Sequence, residues 1–240
     1  MDLVSAFEPD GVVTVVGAGG KKSTLYALGA ALDRAIITAS VRIPLFDGHV
    51  EELLVTETPV EAMAGNDRWP LGLVPGEDGD RARYLGYEPE IVDAIGAATD
   101  VPVLVKGDGA RTRLLKAPAE NEPKIPASSS TVVPVASVQA VGKPLTEEFV
   151  HRPERVTAVT GRTAGETIQP SDVVSVLRDS DGGLRDVPED ARVVALLNMV
   201  DDEALAETAR DIATEVIEDP QIDRVVLSRM DLRTIVDVVE

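Results

Sequence analysis

VVTVVGAGGKKSTLYALGAALDR, residues 12–34, passes from a strand pattern through a glycine turn into a helix pattern. Val12–Val16 is an unbroken β-branched run, apolar but for Thr14, as expected of a parallel strand buried on both faces. From Thr24 to Arg34 the apolar residues recur at helical spacing. Between these segments, Gly17, Ala18, Gly19, Gly20, Lys21, Lys22, Ser23 and Thr24 supply the ingredients of a phosphate-binding loop. Glycines let backbone N–H groups wrap round phosphate oxygens, and a helix N-terminus adds about half a positive charge. Lys21 or Lys22 can reach the β and γ phosphates, and Ser23 or Thr24 can ligate Mg2+. The spacing is not that of GxxxxGK[ST], which from Gly17 requires lysine where Ser23 stands. Nor is it that of GxGxxG, whose last glycine position holds Lys22. The loop is shorter, or framed as GxGG followed by lysine, and either lysine can be the phosphate ligand. The alternative is a plain glycine turn with two solvated lysines.

Strand patterns recur at Ala35–Thr38, Glu52–Thr56, Val101–Val105, Thr131–Ala136, Val193–Leu197 and Val225–Leu227. Helical patterns lie at Pro89–Ala98, at Ser171–Arg178 (entered through Pro170) and at Asp201–Glu218, whose first turn is acidic. This alternation predicts an α/β fold, a mostly parallel sheet with helices on both faces, and the glycine turn after the first strand makes the expected architecture a P-loop NTPase-like three-layer sandwich. Residues 1–240 read as a single domain. Residues 107–130, long and punctuated by prolines, read as a functional loop insertion.

The chain has 42 acidic and 23 basic residues, a net charge of −19, with 44% hydrophobic residues and no cysteine. That composition describes a globular protein and excludes disulfides, thiolate metal sites and cysteine nucleophiles. The acidity argues against nucleic-acid binding, and no apolar run is long enough to span a membrane. A cytoplasmic protein is expected. The carboxylates are scattered, and only six of the basic residues are lysines. At 1 M salt the Debye length is about 3 Å, so such a surface suits a halophilic protein, with docking to a basic partner as the alternative. Against that background, two lysines in one glycine loop stand out.

Two further segments follow strand patterns. KGDGARTR places Asp108 beyond VPVLV, where a Mg2+-organising carboxylate of a nucleotide hydrolase belongs, with Arg111 and Arg113 able to meet an anionic substrate. An ordinary Asp-Gly turn is the alternative. Asn198-Met199-Val200-Asp201 follows VVALL and resembles the guanine-specificity element NKxD of GTPases, although Asp201 also suits a helix start. Neither histidine, His49 or His151, has a metal-ligand spacing, and no HExxH or GxSxG pattern occurs.

VVGAGGKKSTL, KGDGARTRLLKAPAENEPKIP, VGKPLTEEFVHRPERV and LLNMVDDE, in that order, resemble the YqeC family over about residues 12–218. The most specific part is Asp108–Pro126. That family is described as accessory proteins of selenium-dependent molybdenum hydroxylases and looks like a compact P-loop NTPase. The resemblance implies Gly17, Gly19, Gly20, Lys21 or Lys22, and Ser23 at the phosphates, with Asp108 at Mg2+. It further implies that Lys116, Glu120, Glu122, His151 and Arg152 line a family-specific site near the γ-phosphate. Three departures stand out: an additional loop lysine, KGD where an acidic residue before Asp-Gly is usual, and NMVD in place of NKVD. The function expected is binding of ATP or GTP with Mg2+ while assisting maturation of a molybdenum-containing hydroxylase, the expected partner alongside other maturation proteins. Without cysteine, selenium or sulfur cannot ride on a thiol of this chain. The alternatives are a small-molecule kinase or ligase with an anionic acceptor, and a nucleotide-binding switch without significant turnover.

Overall fold

The β-branched runs come together as the core of one sheet in the computed structural model, which describes residues 1–79 and 82–240. Its strands are β1 (Val12–Gly17), β2 (Ile36–Ala39), β3 (Glu52–Val55), β4 (Leu71–Val74), β5 (Val103–Lys106), β6 (Ser129–Ser137), β7 (Arg192–Asn198), β8 (Arg224–Arg229) and β9 (Thr234–Val239). They lie in the order β9-β8-β7-β6-β1-β5-β2-β4-β3. Every neighbouring pair is parallel except β8 with β9.

Strand alternation sends successive side chains to opposite faces. Val13, Val15, Leu104, Val194 and Leu196 pack against Phe7 of α1 (Leu3–Phe7) and against Leu25 and Leu28 of α2 (Lys21–Ala31). On the other face Val103, Val105 and Ile36 meet Val92 and Ile95 of α3 (Pro89–Ala97). Val156 of α4 (Pro153–Thr160), Val173 of α5 (Pro170–Arg178) and Ile212 of α6 (Glu203–Val216) cover Val193, Ala195 and Leu197 on that face. The result is a three-layer α/β sandwich of the expected P-loop NTPase-like class. Among the described residues no helix is long and apolar enough to cross a membrane.

Several boundaries differ from the sequence expectation for local reasons. The strand expected at Val101–Val105 starts at Val103, after Pro102, which has no N–H for the ladder, and continues to Lys106. The strand expected from Thr131 starts at Ser129, inside the expected loop segment, and runs to Ser137. The helix expected from Thr24 begins at Lys21. β4 was not expected, nor were β9, α1 and α4.

The strand order also fixes a crossing. β5 and β6 flank β1, and the connection between them crosses beyond the C-terminal end of β1, where the Ser137 N–H at the end of β6 donates to the Leu114 carbonyl at 3.0 Å. The glycine turn leaves the sheet at that same end. Ligands of open α/β sheets bind beyond such strand ends.

Candidate functional site

The turn after β1 is packed closely against its neighbours. Gly17 has φ +90°, and a Cβ there would lie 2.3 Å from the Val135 carbonyl oxygen on β6. Gly20 has φ +137°, and its Cβ would lie 2.0 Å from Asn198 Nδ2. Both positions therefore require glycine for reasons of packing and backbone, independently of any ligand. Asn198, buried at the end of β7, holds the turn in place. Its Nδ2 donates to the Gly19 carbonyl at 2.8 Å, while Oδ1 accepts from Ser228 Oγ at 3.1 Å and from the Met230 N–H at 3.0 Å.

Lys21 lies in the first turn of α2 on the same helix face as Thr24, Leu25 and Leu28, and is buried with them. Its ammonium turns back to donate to the Gly17 carbonyl and lies 2.8 Å from Asp108 Oδ1. Lys22 is half-buried and Ser23 is exposed. Among the described residues Lys22 makes no ion pair. Thr24 is buried and donates to the Gly20 carbonyl at 3.2 Å.

Asp108, 1% exposed, is the centre of the cluster. Its Oδ2 accepts from the Gly17 N–H at 2.9 Å and lies 2.8 Å from Lys116 Nζ. Lys116 also reaches Glu122 Oε2 at 3.0 Å and the Gly109 carbonyl at 2.8 Å. Glu122 in turn accepts from Arg152 Nη1 at 2.7 Å. A short parallel ladder places Val150 beside Leu115 and His151 beside Lys116. Burial alone would raise the Asp108 carboxyl, but the ammoniums of Lys21 and Lys116 outweigh it and hold the group below the usual carboxylate range. Glu122 is lowered in the same way, with Arg152 and Lys116 overcoming burial. Lys21 is pulled below the ordinary lysine value by burial, which Asp108 only partly offsets. Burial, reinforced by Arg152 and Lys116, pushes the His151 imidazole down to about 4.

The structure thus brings together Lys21, Asp108, Lys116, Glu122, His151 and Arg152. Arg111 is exposed, in a left-handed conformation with φ +48°. Glu120 is also exposed and pairs with Arg155 at 3.3 Å rather than with the Lys116–Arg152 pair that holds Glu122. Asp201 is exposed, 3.1 Å from Arg229 Nε and bonded to Gln139 Nε2 at 2.5 Å. One more buried cation, the lysine of the KGD departure, has no role among the candidate residues. Lys106 is 6% exposed and donates to the Arg42 carbonyl at 2.8 Å, and burial, aided by Lys21, lowers it to about 7. The signal was the strand alternation, which continues from Leu104 to Lys106.

The donor set suits a protein-held Mg2+ poorly. Asp108 Oδ1 is buried without a hydrogen bond, the one feature that favours a bound cation or its water. Yet Lys21 stands 2.8 Å from it and Lys116 covers the other oxygen. Among the described residues no three acidic or histidine side chains converge.

Fold and cluster together define a three-layer α/β protein whose first strand–glycine turn–helix faces a buried lysine–aspartate–lysine arrangement. The chain belongs to the YqeC family, whose model, described as YqeC protein, matches residues 13–154. It is 31% identical over 192 residues to the uncharacterized protein YqeC of Escherichia coli (strain K12), covering 78% of this chain and 75% of that one. No solved structure matches. The glycine turn, Asp108, Lys116, Glu122, His151 and Arg152 lie inside the matched range, whereas Asn198 and Asp201 lie beyond it.

Proposed function

We propose that this chain is a cytoplasmic protein that binds a nucleoside triphosphate, ATP or GTP, and assists maturation of a molybdenum-containing hydroxylase. The observation that carries the nucleotide reading is the Lys21–Asp108–Lys116 cluster beneath the glycine turn, where β1 and β5 end. The turn offers backbone N–H groups and the start of α2, and Lys21 sits where a phosphate oxygen could replace the Gly17 carbonyl as its acceptor. Phosphoryl transfer at such a site rests on positioning and charge neutralisation rather than on a protein nucleophile. Any Mg2+ at the site arrives with the nucleotide from solution rather than being held by the protein beforehand. The target enzyme rests on the family resemblance alone.

Nucleotide binding by the wild type, Lys21→Ala and Lys22→Ala, measured in molar KCl with Mg2+, tests this. Lys21→Ala should weaken binding by about tenfold or more, the effect of losing a charged hydrogen bond. Lys22→Ala, whose side chain lies outside the cluster, should change it much less. Equal affinities for the wild type and Lys21→Ala would sink the assignment. A second reading, a small-molecule kinase or ligase, is favoured by Lys116, His151 and Arg152 standing side by side where an anionic acceptor could be gripped. Turnover that stays at background with anionic acceptors while nucleotide binds would leave the switch instead.

A further inference from the structure

Lys106 is the buried cation that the cluster leaves without a carboxylate. It is the last residue of β5, in register with Val15 of β1 and Ala39 of β2. Strand alternation puts it on the face of Leu104, the face that α2 covers, and so on the same side of the sheet as Lys21. Its ammonium donates to the Arg42 carbonyl at 2.8 Å, and among the described residues none of the ion pairs includes it. Lys21 and Lys116 share Asp108, and Lys116 and Arg152 share Glu122. With all four protonated, four cations stand against two carboxylates in a chain whose net charge is −19, and Lys106, lowered to about 7 by burial, sheds part of that excess by releasing its proton and regains it when an anion arrives. Unmatched buried charge is costly, and a protein that keeps it has a use for an incoming anion.

We propose that this surplus is the counter-charge for a polyphosphate, so that Lys21, Lys106 and Lys116 neutralise the phosphates and nucleoside triphosphate binds without requiring a divalent cation. The inference rests on the nucleotide reading above and names how that site meets its ligand's charge. Three ammoniums with movable donors can follow the oxygens of a phosphate chain, and Asp108, the buried carboxylate between Lys21 and Lys116, is already committed to those two.

The test is calorimetric titration of ATP, GTP and inorganic tripolyphosphate into the full chain in molar KCl, once with excess Mg2+ and once with EDTA. Wild-type affinity should differ by less than about threefold between the two conditions, since the protein's cations supply the neutralising charge. Lys106→Met should weaken binding by about tenfold or more in EDTA, with Lys106→Arg recovering part of it and Lys143→Met, remote from the cluster, unchanged. Melting of each free variant separates loss of fold from loss of binding. Tripolyphosphate binding as tightly as the nucleotides would mark polyphosphate itself as the ligand and support the charge assignment. Binding in Mg2+ that falls by about a hundredfold in EDTA, or a folded Lys106→Met that binds like the wild type, would overturn the inference and leave the nucleotide reading standing. If none of the three probes binds even with Mg2+, both fail.

Discussion

Lys21 shows how one side chain can be read two ways until its helix phase is known. Taken as part of a loop, GGKKST leaves both lysines equivalent. Counted from the helix start that the structure shows, Lys21, Thr24, Leu25 and Leu28 fall at i, i+3, i+4 and i+7, so Lys21 must face inward and Lys22 cannot. Asn198 heads the NMVD stretch that resembles NKxD, and in the structure its side chain ties Gly19 to Ser228 and Met230. Asn198→Ala would leave those groups buried without partners and should cost about 1–3 kcal/mol in denaturant unfolding. His151 carries the pH dependence of the cluster. Its folded value of about 4 lies below the 6.5 of the unfolded chain. Above pH 6.5 it is neutral in both states; as pH falls towards 4 the unfolded chain binds the proton first, so stability is lost across that window. His151→Gln should remove this part of the loss, seen as a shallower fall in unfolding free energy between pH 6.5 and 4 than in the wild type.

At the scale of elements, what the sequence disclosed depended on how completely a strand is buried. β1, β5 and β7 are buried on both faces and read as short, nearly continuous apolar runs (VVTVV, VLV and VVALL), which marks them as parallel strands. β4 is only LGLV between Pro70 and Pro75. Its Gly72 looks like a turn residue, yet a Cβ there would lie 2.5 Å from Leu53 Cδ1. That glycine serves strand packing, a reason that only tertiary structure supplies. β9 is half-buried and antiparallel, without the signature of its parallel neighbours. The glycine turn is an element whose shape depends on β6 and β7 as much as on itself. Gly20→Ala combines φ +137° with an atom 2.0 Å from Asn198 Nδ2. It should destabilise the chain by about 2 kcal/mol or more and weaken nucleotide binding, because α2 could no longer start where it does.

Over the whole molecule, charge and lysine placement tell one story. Of six lysines, Lys21, Lys106 and Lys116 are buried in the cluster. Lys22 adjoins it, and the Lys124 backbone N–H bonds the Gly107 carbonyl at its rim while its ammonium turns outward to Glu88. Lys143 lies elsewhere, over the Phe149 ring. A surface so depleted of lysine and so rich in carboxylates repels itself at low ionic strength. Melting temperature should therefore rise by several degrees between dilute buffer and molar KCl, and a flat profile would remove the halophilic interpretation. The central claim concerns the few buried cations rather than the acidic coat, and one measurement reaches it directly. Titration of ATP and GTP into the wild-type chain in molar KCl, followed by calorimetry, should give saturable binding of one nucleotide per chain for at least one of them, accompanied by a higher melting temperature. No heat of binding and no thermal shift with either nucleotide would contradict the account.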